Sequence, residues 1–212
     1  MHESLLTSRS KFFKKAMNKG WKEAEDKLVK LPEDDPDIFA LYEQLVYTGC
    51  IPVFDDDPER IYHEDGDGDS NGDDDSSEDD EKSNDGHTYC QNITVCQNEY
   101  NTLFKLYIFA EKIQDREAKK SCLDAINTKV EHESSKVDNF DTGPCLPAVP
   151  IIKMVYQNTP ESSAARQSLV HCYAFARNWA VVENLPESSL ADIPPVFLLD
   201  LAHSAITNRE AP

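Results

Sequence analysis

His2-Glu3-Ser4-Leu5-Leu6-Thr7-Ser8-Arg9-Ser10-Lys11-Phe12-Phe13 stands at the start of the chain. Trp21-Lys22-Glu23 follows, then Leu28-Val29-Lys30-Leu31-Pro32-Glu33-Asp34-Asp35-Pro36, then Phe39 through Tyr47-Thr48-Gly49. Leu5, Leu6, Phe12, Phe13, Ala16 and Met17 recur at helical spacing, which predicts one or two short helices over residues 2–18. Ser8 and Ser10 are the expected caps between them. Lys27–Leu31 is a short apolar run stopped by Pro32 and predicts a strand. Beyond it Asp35 can cap a helix, Pro36 suits the first helical position, and Ile38, Leu41, Tyr42, Leu45 and Val46 share one apolar face. Gly49 is placed to end that helix, because glycine enters the left-handed conformation without steric cost. Cys50–Phe54 reads as a short extended piece.

Residues 55–88 are Asp, Gly, Ser, Asn and Glu with almost no apolar content. Such a stretch cannot bury enough surface to offset its ordering entropy, so a disordered insert is expected there. From Glu99 helical periodicity resumes. Tyr100, Leu103, Phe104, Tyr107 and Ile108 share a face, with Ala110 and Ile113 extending it. Glu117–Val130 predicts a second helix with Ala118, Cys122, Ile126 and Val130 in line. Residues 133–146 read as a polar linker. Further helices are predicted over Pro147–Tyr156, Ala164–Val182 and Pro195–Ile206, the longest with Leu169, Cys172, Tyr173, Ala176 and Ala180 inward. Phe109, Phe175 and Trp179 fall off the inward faces and are expected to pack between the C-terminal helices, with a partner surface as the alternative.

The 212-residue chain is 39% hydrophobic and 29% charged, with a net charge of −19. Residues 55–85 hold sixteen acids and two bases, a net of −14, and leave −5 for everything else. Binding to nucleic-acid phosphates is not expected, because it needs concentrated Lys and Arg on a surface. No apolar run approaches the roughly 20 residues needed to cross a bilayer. The start of the chain has no continuous apolar core of a signal peptide, so an intracellular, cytoplasmic or nuclear location with reduced thiols is expected for the six cysteines.

In order and spacing, Ser10–Phe13, Leu31–Pro36, Tyr47-Thr48-Gly49, Leu106-Tyr107-Ile108-Phe109-Ala110-Glu111-Lys112 and Gln114-Asp115 resemble the BTB/POZ family. The likeness is to the diverged members common in filamentous fungi, and the C-terminal helices resemble the tails of such relatives. The resemblance implies an α+β, mostly helical fold: a helical cluster with a small residual sheet over residues 1–132, interrupted by the insert at 55–88, then a helical extension over 147–208. It implies a noncatalytic protein-interaction module, an adaptor whose partners are another BTB chain or a cullin-type ubiquitin-ligase scaffold. In the family, strands precede the His-x-x-Leu-Leu segment, whereas here only Met1 precedes His2. Conventional homodimerisation is therefore not expected, and the Lys27–Leu31 strand is expected to have an open edge.

Motifs that would carry chemistry are sparse. Asp67, Asp69, Asn71, Gly72 and Glu78 match the calcium-loop pattern of an EF-hand. Asp74 occupies that loop's usual apolar position and the flanks are not amphipathic helices, so the tract reads as a solvated acidic loop with weak, nonspecific cation binding. Ser76 and Ser77 each precede an acid by three residues, as acid-directed kinases require, and phosphorylation would add roughly −1.5 to −2 charges per site. His87, Cys90 and Cys96 lack zinc-knuckle spacing, and Cys122 and Cys172 lie on apolar faces as core residues. His171 and Cys172 are neighbours in sequence but point apart on a helix. There is no Gly-rich phosphate loop, Gly-x-Ser-x-Gly elbow or His-Glu-x-x-His, so neither an enzyme nor a cofactor is expected. A second reading makes the acidic insert itself the functional part, regulated by phosphorylation or weak calcium binding.

Overall fold

A computed structural model describes residues 1–18, 20–51, 93–135, 145–175 and 191–207. These form nine helices: α1 (Glu3–Arg9), α2 (Lys11–Ala16), α3 (Lys22–Asp26), α4 (Pro36–Thr48), α5 (Ile93–Lys112), α6 (Arg116–Ser135), α7 (Val149–Asn158), α8 (Ala164–Phe175) and α9 (Pro195–Thr207). The fold is mostly helical. The only β pairing among the described residues is a single antiparallel bridge, Ser10 to Asp115.

Local signals explain the start of α2 and both ends of α4. Ser10 separates α1 from α2 and its Oγ accepts from the Phe13 N–H, so this serine caps α2. Ser8 does not cap; its hydroxyl donates back to the Leu5 carbonyl at 2.8 Å, inside α1. The Asp35 carboxylate accepts from Asp37 N–H at 3.1 Å, Pro36 follows at the first position, and Gly49 closes α4 at φ 75°. The Leu45 carbonyl, an otherwise unpaired helix-end acceptor, takes the Gly49 N–H.

The strand expected at Lys27–Leu31 is absent. Lys27 ends α3 in the left-handed conformation (φ 49°), and residues 28–31 follow with neither helix nor strand pairing. A strand exists through its neighbour's hydrogen bonds, and no described segment offers a ladder to this one. The helix expected from Glu99 already runs from Ile93, and the one expected over Glu117–Val130 runs from Arg116 to Ser135. The insert at 55–88 and most of the 133–146 linker lie outside the described residues.

α5 is the centre. Tyr100, Leu103, Phe104, Leu106, Tyr107 and Ala110 are buried along it. α4 and α6 pack on α5, α7 covers another side, and α8 bridges α6, α7 and α9. The buried hydrophobic residues of α2 and of α4 through α9 belong to one cluster. Phe109 does not pack between the C-terminal helices. It is buried against α4, with ring centroids 6.0 Å from Phe39 and 5.3 Å from Tyr42, both edge to face. Phe175's side chain and Trp179 lie outside the described residues.

Candidate interaction surface

The N-terminal helices are held by a buried polar knot. Gln114, at φ 58°, turns the chain between α5 and α6 and delivers Asp115, fully buried, to the start of α6. Asp115 Oδ1 accepts from Ala118 N–H at 3.0 Å; Oδ2 accepts from Arg9 Nε at 3.0 Å and from the Tyr42 hydroxyl at 2.9 Å. One carboxylate thus caps α6 and ties it to α1 and α4. Ser10 Oγ donates to the Ile113 carbonyl at 2.6 Å and Phe12 N–H to the same oxygen at 3.3 Å. Burial and the adjacent Asp115 charge push the Tyr42 hydroxyl's pKa well above its ordinary value, so this group remains a donor.

This anchoring decides what α2 and α3 present. Phe13 points inward and is buried, while Phe12, half-buried, faces the other way with its ring edge to face on Phe13 at 5.1 Å. Gly20, at φ 101°, makes the turn out of α2 that a side-chain-bearing residue resists, and Trp21 follows at the start of α3. Trp21 is 61% exposed and Leu28 55% exposed. Phe12, Ala16, Trp21, Leu28 and Val29 line an open groove of about 540 Å³, with Lys15, Lys22, Lys30, Glu23 and Asp26 around it. Large exposed apolar side chains grouped around a concave surface are the usual mark of a binding site rather than of a solvated face.

A second depression, of about 520 Å³, lies beside α7 and α9 and includes Lys153, Tyr156, Glu161, Arg166 and Asp192. Its chemistry is already used. Arg166 is buried and stacks on the Tyr156 ring at 4.6 Å. Its Nη2 donates to the Tyr156 carbonyl at 2.8 Å and to the Thr159 carbonyl, and Nε donates to Thr159 Oγ1 at 3.2 Å. Arg166 therefore closes the C-terminus of α7, a role that no local pattern announced. The Tyr156 hydroxyl donates to Asp200 at 2.7 Å and so links α7 to α9. Lys129 was equally illegible from sequence. It is buried on α6; burial alone would lower its pKa, but the Glu99 carboxylate and Cys96 outweigh that and raise it.

The calcium-pattern residues Asp67, Asp69, Asn71 and Glu78, the phosphorylation candidates Ser76 and Ser77, and His87 and Cys90 all lie outside the described residues. Cys96 is buried on α5. Cys122 and Cys172 are fully buried, and burial pushes both thiols up to about 12. His171 is exposed while Cys172 is buried, so the two neighbours face opposite ways. Among the described residues no three His, Cys, Asp or Glu side chains are grouped to hold a metal ion, and no helix is long and apolar enough to cross a membrane. No protein-family model matches the chain, and no solved structure matches it significantly.

Proposed function

We propose that this chain is a noncatalytic protein-interaction module of BTB/POZ type, working inside the cell as an adaptor, with another BTB chain or a cullin-type scaffold as its partner. What supports this reading is the open groove around Trp21 on a helical scaffold, because a tryptophan this exposed beside Phe12 and Leu28 loses apolar surface to water only when a partner covers it. The motif order described above supplies the BTB/POZ likeness and, with it, the two partner classes.

The test is a titration of the purified chain with the N-terminal domain of a cullin and, separately, with a full-length BTB chain, followed by calorimetry. Saturable binding to either, weakened at least about tenfold by Trp21→Ala, is the expected result; truncating a central interface tryptophan costs about 2 kcal/mol or more. Trp21→Ala should leave the far-UV circular dichroism unchanged. Absence of binding to both partners refutes the proposal. Removing residues 55–88 addresses the second reading: binding that survives the deletion resides in the folded part, and binding that vanishes assigns it to the acidic insert.

A further inference from the structure

We infer that the Trp21 groove docks one kind of partner segment: an acidic stretch of protein with an apolar anchor residue. The inference rests on the interaction-module reading and specifies what that module recognises.

Charge carries it. Residues 9–30 hold eight bases (Arg9, Lys11, Lys14, Lys15, Lys19, Lys22, Lys27, Lys30) and three acids (Glu23, Glu25, Asp26), a net of +5 within a chain whose net is −19. Among the described lysines elsewhere, Lys105, Lys112, Lys119, Lys129 and Lys153 each pair with a carboxylate, and Lys120 on α6 does not. Among the described residues, Lys15, Lys22 and Lys30 at the groove make no such pair, nor do Lys11, Lys14 and Lys27 near it. Even the Glu23 and Asp26 carboxylates one turn away leave them unpaired. The rim carries three uncommitted ammonium groups (Lys15, Lys22, Lys30) against two carboxylates (Glu23, Asp26), with Lys11, Lys14 and Lys27 adding positive charge near it. Such a surface around apolar side chains complements a segment that is negative at its edges and apolar at its centre. The groove wall adds main-chain capacity, since the N–H and C=O groups of Val29 and Lys30 take part in no hydrogen bond among the described residues. A partner segment running alongside can satisfy them, as in strand addition.

Other occupants fit less well. A second copy presenting the same face would set one lysine rim against another, which an isologous contact cannot avoid. A nucleic acid would meet the lysines but also a chain with a strong negative surplus outside this region. A bilayer surface would leave the concave floor behind Trp21 unfilled.

The probe is a fluorescein-labelled peptide of about twelve residues alternating glutamate and leucine, with one control carrying serine for leucine and another carrying lysine for glutamate. Fluorescence anisotropy with the full chain should give micromolar binding to the first peptide and binding at least about tenfold weaker to each control. Trp21→Ala and the triple charge reversal Lys15→Glu/Lys22→Glu/Lys30→Glu should each weaken it by at least about tenfold, with circular dichroism unchanged. Raising sodium chloride from about 50 to about 200 mM should weaken it several-fold, because the charges lie at the surface. Equal binding of the lysine peptide, no binding of the glutamate–leucine peptide, or indifference to both variants overturns the inference. So does Trp21-dependent self-association in sedimentation velocity, or Trp21-dependent capture by vesicles of one part phosphatidylserine to four parts phosphatidylcholine, without peptide binding. If the peptide fails while Trp21→Ala still weakens the cullin or BTB titration, the acidic chemistry is wrong and the interaction module stands. If Trp21→Ala affects neither, both fall.

Discussion

Asp115→Ala removes the carboxylate on which three helices converge, and its cost follows from the three groups it abandons. Ala118 N–H at the start of α6 loses its cap, worth about 1 kcal/mol. The Tyr42 hydroxyl, on a residue with no exposure, is left without its acceptor, which costs about 1–3 kcal/mol. Arg9 keeps 16% of its side-chain exposure and so can partly rehydrate, leaving about 1 kcal/mol from that pair, well below the penalty for a fully buried ion pair. Together the loss should be about 3–5 kcal/mol, a large part of the roughly 5–15 kcal/mol by which a folded chain is stable. Urea denaturation followed by far-UV circular dichroism measures it. Tyr42→Phe alone should cost about 1 kcal/mol, and adding it to Asp115→Ala should cost almost nothing further, because the unpaired hydroxyl is then gone. A loss under about 1 kcal/mol for Asp115→Ala, or strict additivity in the double variant, would refute the idea that this carboxylate joins α1, α4 and α6.

Three further outcomes are expected. In thiol titration at pH 8, exposed Cys50 reacts quickly, whereas Cys122 and Cys172, buried and with thiols pushed up to about 12, react only after denaturant is added; rapid labelling of either would contradict their placement. Arg166→Ala should destabilise by about 2–4 kcal/mol, since two carbonyls and a hydroxyl lose their donor, and Arg166→Lys should restore little of it because an ammonium cannot reproduce the fork; full rescue by lysine in chemical denaturation would show that charge alone matters. The helix-capping bond from Asp37 N–H, with Lys105 nearby, holds the Asp35 carboxyl below the usual carboxylate range. Its contribution is therefore complete above the unfolded carboxylate pKa and lost as pH falls through the lowered folded value. Asp35→Ala should lower the melting temperature at pH 7 and converge with the parent at strongly acidic pH, and a constant offset across that range would sink this account.

What could be read in advance was local. Asp35, Pro36 and Gly49 bound α4 through chemistry contained within a few residues, and both ends fall where that chemistry places them. The inward residues of α5 follow a 3.6 period that any sufficiently long amphipathic helix displays. The failures were contacts between distant residues. Ser8 and Ser10 look alike as caps, and only the docking of Ser10 on the Ile113 carbonyl separates them. Phe109 leaves its helix on the side that looked unoccupied, and α4 supplies the partner.

Legible in the sequence alone were the bounds of α4, the main apolar face of α5, the place where charge concentrates, and the order of motifs on which the BTB/POZ likeness depends. Tertiary structure decided the rest. Asp115 joins Arg9 and Tyr42, residues 106 and 73 positions away. The Lys27–Leu31 segment has a strand-like composition but no strand beside it among the described residues. And Trp21 stands exposed beside uncommitted lysines. Capping and periodicity act within a turn or two of the backbone and are written into neighbouring residues. Strand pairing, buried-charge satisfaction and groove formation depend on which distant segment arrives alongside, and that is settled only when the chain packs.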